Sequence, residues 1–138
     1  MKDLLSAIRT YYETATGSGG AGLLSSIGAL SFKEAPATTT LPLVVYTVIN
    51  APRTQMYGSA GYSEPQIDFK VWGKDSEDSL TLVELLCTKF DDHLFTLSGS
   101  VNFFARRIGD PIPTPDVMLD ERGNPVDGWL VSYAYAKN

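Results

Sequence analysis

From Leu43 to Ile49 the chain reads Leu-Val-Val-Tyr-Thr-Val-Ile, apolar or β-branched on both faces of an extended backbone. Strand side chains alternate between two faces. A run with no polar side therefore predicts a strand in the middle of a sheet, covered on both sides. Pro42 fits the start of such a strand, where a missing N–H does least harm, and Asn50-Ala51-Pro52 ends it. The rest of the chain has to supply its neighbours and its cover.

Residues 66–72, Gln-Ile-Asp-Phe-Lys-Val-Trp, alternate with Ile67, Phe69 and Val71 on one side and Gln66, Asp68 and Lys70 on the other, which predicts a half-exposed strand. Gly73 breaks it. Asp75 or Ser76 then caps a long helix over about 76–96, with Ser79, Val83, Leu86, Cys87, Phe90 and Leu94 on one stripe and Glu84, Thr88, Asp91 and Asp92 opposite. Packing of Val83, Leu86, Phe90 and Leu94 onto strand 43–49 is the expected core. An earlier amphipathic helix over 3–16 carries Leu4, Leu5, Ile8, Tyr11, Tyr12 and Ala15, with Asp3 as cap and Gly17 as stop. Residues 101–108 and 129–136 are further strand candidates. Pro111, Pro113 and Pro115 predict an extended, irregular link between them, with a turn at 120–125. Helix, strands, helix, strands, without regular βα alternation, predicts one α+β domain over 1–138: a mainly antiparallel sheet of about four strands against two helices.

Composition removes several function classes. With 138 residues, 43% hydrophobic and 20% charged, the chain is globular in type, and no apolar run approaches the roughly 20 residues of a membrane span. Net charge is −5 and no basic cluster exceeds Arg106-Arg107, which disfavours duplex binding by an isolated subunit. One cysteine excludes an internal disulfide, no asparagine begins a glycosylation signal, and the N-terminus lacks a signal peptide's apolar segment; the chain reads as an intracellular product.

Chemical motifs are weak. Residues 17–22, Gly-Ser-Gly-Gly-Ala-Gly, follow a helix and lack the Lys-Ser/Thr of a phosphate loop, so they read as a flexible break. His93, the only histidine, reads as a helix-end residue, and Cys87 as a small buried hydrophobe. Asp75, Glu77 and Asp78 bunch where acids offset helix N–H groups. No catalytic, cofactor or metal constellation is expected. Aromatic residues are more informative: seven tyrosines and two tryptophans, with Tyr57, Tyr62 and Trp72 in loops or on polar faces, suit a protein interface. Segment 51–63 is too long for a tight turn and reads either as a β-hairpin arm reaching a neighbour or as a surface loop. Arg53, Met56, Tyr57 and Tyr62 are the candidate interface residues.

Phe32-Lys33-Glu34-Ala35-Pro36, a spacer, then Leu41-Pro42-Leu43-Val44-Val45-Tyr46 resembles the start of the main strand in tail-completion, or tail-terminator, proteins of long-tailed bacteriophages and prophages. The resemblance runs on through a Met-Tyr-Gly loop, the strand Ile67–Trp72, the helix from Lys74-Asp75-Ser76 and Phe90-Asp91-Asp92, although Leu43 stands where a tyrosine is expected. It implies a non-enzymatic α+β virion subunit. Such a subunit assembles as a ring, six being the expected number, that caps the tail tube and joins it to the head-connector protein. It needs no cofactor and contacts DNA only as the genome passes through the lumen. The subunit would be found in the host cytoplasm during assembly and then in the virion. Another head–tail ring component (stopper or adaptor), a small-ligand-binding α+β module and an enzyme are the alternatives.

Overall fold

A computed structural model of the chain describes residues 2–13, 30–32, 41–50, 53–54, 62–63, 65–97, 101–119 and 121–137. The elements are α1 (Lys2–Glu13), β1 (Leu30–Phe32), β2 (Leu43–Asn50), β3 (Arg53–Thr54), β4 (Tyr62–Ser63), β5 (Gln66–Trp72), α2 (Ser76–Phe90), β6 (Leu94–Leu97), β7 (Val101–Arg107), β8 (Ile112–Leu119) and β9 (Pro125–Lys137). The class is α+β. The sheet, however, has seven strands rather than four, in the order β1-β2-β5-β9-β7-β6 with β8 also on β9. Every pairing in it is antiparallel except β1 with β2.

Both described helices lie against one face. Val44 and Tyr46, Ile67, Phe69 and Val71, Val131, Tyr133 and Tyr135, and Phe95 and Ala105 point to that face and are buried with Leu4, Ile8, Tyr11 and Tyr12 of α1 and Leu82, Val83, Leu86 and Phe90 of α2. Strand β2 is covered on both sides from Leu43 to Tyr46, as its composition requires, but Ile49 is exposed. Strand β5 alternates as expected. The chief packing partners of α2 are β9 and β5, not β2 as expected: β2 lies one strand further out.

The start of α2 follows from local chemistry. Asp75 is the N-cap, and its Oδ1 accepts from the Asp78 backbone N–H at 2.8 Å. Gly73 donates its N–H to Ser79 Oγ at 2.7 Å, and Lys74 donates its own to Asp78 Oδ2 at 2.9 Å. The far end differs from the expected 76–96. Asp91 N–H closes the last turn on Cys87 O, Asp92 takes φ 56°, and the chain leaves as β6. Leu94 is consequently an exposed strand residue, and its neighbour Phe95 enters the core. In α1, Asp3 lies inside the first turn rather than before it, while Ala15 and Gly17–Gly22 fall outside the described residues.

The proline-rich segment is a strand. Phe103↔Lys137 to Arg107↔Tyr133, then Ile112↔Leu130, Pro113↔Trp129 and Val117↔Asp127 to Leu119↔Pro125, place β7 and β8 end to end along one side of β9. From Arg107 to Ile112 this side advances five residues while β9 advances three, so 108–111 form a bulge that includes Gly109 at φ 71°. Pro113 and Pro115 are tolerated because β8 is an edge strand with a second bulge between Pro113 and Val117. Trp72 is 2% exposed, not the surface aromatic expected. Its Nε1 donates to the Asp116 carbonyl of β8 at 3.2 Å, and Lys70 Nζ meets Asp116 Oδ2 at 2.6 Å. The indole reaches β8 because position 128 is glycine: a Cβ there would sit 2.5 Å from Trp72 Nε1.

Candidate functional site

Two features stand apart from the core: a cleft beside α2 and the 51–63 segment. Arg107 and Tyr133 are direct cross-strand partners on β7 and β9, so their side chains leave the sheet on the same face, toward the end of α2. There Tyr133 Oη donates to Asp91 Oδ1 at 2.6 Å, and Arg107 Nε lies 3.5 Å from the same oxygen. Cys87 lies one helical turn before Asp91, beside the same cluster.

These groups are committed to one another. Burial raises the Cys87 thiol against the opposing influence of Tyr133 and Arg107, so it stays a thiol rather than a thiolate nucleophile near neutral pH. Burial, and then the hydrogen bond to Asp91, raises the Tyr133 phenol and keeps it a donor. The cluster pins the end of α2 to the sheet. Among the described residues no group of three or more His, Cys, Asp or Glu side chains could hold a metal ion, and no helix is long and apolar enough to cross a membrane.

Beside this cluster a cleft of about 510 Å³ opens between α2, through Leu80, Glu84 and Thr88, and the β7–β8 bulge, through Asp110 and Pro111, with Trp129 also lining it. Arg107 neutralises one of three acids, Glu84, Asp91 and Asp110, so the lining carries a formal charge of −2.

His93 is not a simple surface residue. Its ring stacks on Tyr11 with centroids 3.8 Å apart and meets Phe95 edge-on at 4.6 Å, while Lys89 Nζ lies 4.6 Å from the centre of the Tyr11 ring. Burial first, and the Lys89 charge second, lower its pKa below the usual 6.5. An unfolded chain then binds the proton before the folded one. The contribution of His93 is complete above pH 6.5 and is lost as pH falls through the lower, folded value. Urea denaturation between pH 7 and pH 5 should therefore show falling stability in the wild type, and His93→Phe, which keeps the stack, should flatten that slope. As the chain has one histidine, an equally steep slope in the variant would contradict the assignment.

The predicted interface residues are placed in part. Asn50↔Gln66 closes the β2–β5 ladder after a bulge. Three residues further along each strand, Arg53↔Ser63 and Thr54↔Tyr62 pair without a further slip. Strands β3 and β4 thus form a separate two-stranded antiparallel sheet, in the register that the end of the β2–β5 ladder sets. Arg53 and Tyr62 occupy adjacent rungs of that sheet, whereas Met56 and Tyr57 lie outside the described residues. Sequence reading missed the Asp91–Arg107–Tyr133 cluster, in which Asp91 looked like a solvent-facing helix residue. The only available signal was the acid pair Asp91-Asp92 at a helix end. No protein-family model matches the chain, and no curated protein matches its sequence.

Proposed function

We propose that the chain is a structural virion subunit, a tail terminator that assembles as a ring at the end of a phage tail tube and joins it to the head connector. The observation that carries this reading is the antiparallel β3–β4 pair, Arg53↔Ser63 and Thr54↔Tyr62, within the segment that the sequence reads either as an arm to a neighbour or as a surface loop. Further support comes from large apolar side chains left exposed at strand positions, notably Leu94 and Phe104, which are direct cross-strand partners, and Ile112. Contiguous exposed apolar surface suits a protein contact. The family resemblance supplies the tube end as the place of assembly. A stopper or adaptor ring shares all these features. A small-ligand-binding module is favoured only by the cleft, whose volume lies within the range of about 300–1,000 Å³ for ligand sites.

Native mass spectrometry of the full chain across a concentration series tests the ring. The expected result is a single closed species of six subunits that grows at the expense of monomer. A strict monomer at every concentration, with and without the tail tube protein, would remove the ring from the account.

A further inference from the structure

A closed ring repeats one head-to-tail contact, in which two different patches of the same subunit meet. The arm segment is the chain connection between β2 and β5, which lie to one side of β9 in the sheet, whereas β7 and β8, whose bulge lines the cleft with α2, lie to the other. We propose that the cleft between α2 and the β7–β8 bulge receives the β3–β4 arm of a second copy of this chain; this rests on the ring reading and specifies its interface.

The two patches are complementary in charge. Residues 51–63 contain one charged side chain, Arg53, and no acid. In the cleft, the Asp91 carboxylate is taken by Arg107 and Tyr133, whereas Glu84 and Asp110 are exposed and form no ion pair with another described residue. A segment bearing a lone cation meets a cleft with two acids to spare, which is the complementarity that selects partner and register. Composition agrees. The arm sequence offers Met56 and Tyr57, and the cleft offers Leu80, Pro111 and Trp129 as an apolar counter-surface. At about 510 Å³ the cleft is large enough for a few side chains of an inserted segment.

The test is charge reversal read by native mass spectrometry across a concentration series, with thermal melts to confirm that each protein is folded. The set is the wild type, Arg53→Glu, the pair Glu84→Lys with Asp110→Lys, and all three together. Either reversal alone should raise the concentration for half-assembly about tenfold or more, because each interface of the ring repeats the repulsion, and the triple variant should recover most of that loss. Should Arg53→Glu fail to fold, the cleft pair alone carries the test, as both acids are exposed. Wild-type rings that are indifferent to the reversals, or that the triple variant does not restore, would overturn the arm-in-cleft contact and leave the ring standing. A wild type that never assembles would overturn both.

Discussion

Phe90→Ala should lower the unfolding free energy by about 3–5 kcal/mol, the range for emptying a buried aromatic site. Phe90 is fully buried on the last turn of α2. Its ring meets Phe69 of β5 at 5.3 Å, Tyr133 of β9 at 6.2 Å, Tyr11 of α1 at 5.3 Å and Phe95 of β6 at 6.2 Å. One side chain therefore joins both helices to three strands, so truncation leaves a cavity whose walls belong to separate elements and cannot collapse easily. Small domains are stable by roughly 5–15 kcal/mol, so the loss is a large share of the total. Chemical denaturation measures it, and a change under about 1 kcal/mol would mean that α2 uses another face.

Gly73→Ala should cost about 3 kcal/mol although it adds one methyl group. The new Cβ would lie 2.6 Å from the Ser79 backbone nitrogen and 2.7 Å from the Asp78 carbonyl carbon, neither of which can swing aside. Relief requires the first turn of α2 to move off β5. That movement strains the buried hydrogen bond from Gly73 N–H to Ser79 Oγ and adds to an overpacking cost of about 1–3 kcal/mol. Ser76→Ala, on the same turn and exposed, is the control and should stay within about 1 kcal/mol. Equal effects from the two substitutions would remove close approach as the cause.

The contrast between these positions and the cleft indicates what the sequence could disclose. Strand β5 and helix α2 were legible because periods of two and of three to four residues are local, and Asp75 was legible as a cap because capping chemistry is local. Leu94 satisfied the helical period yet lies on a strand: the left-handed turn at Asp92 redirects the chain, and no periodicity announces one residue at φ 56°. Strand β8 was hidden because prolines argue against a strand. Its stability comes from far partners, chiefly β9, with Trp72 reaching it across Gly128 and Lys70 pairing with Asp116. The same holds for Asp91, Arg107 and Tyr133, which only the β7–β9 register brings together.

For function, this division matters because segment 51–63 reads from its length and residue types as either an arm or a surface loop, whereas the cleft is a product of long-range pairing. The proposed ring would have one repeated contact, with one free patch of each kind on a monomer and none on a closed ring.

The most direct test of the proposed tail-terminator role is electron microscopy of the gold-labelled chain mixed with the tail tubes of a long-tailed phage or prophage. Label is expected at a single end of each tube, as a ring-sized density that blocks further growth there. Label scattered along the tube wall, or tubes that bind none of the protein, would contradict that role.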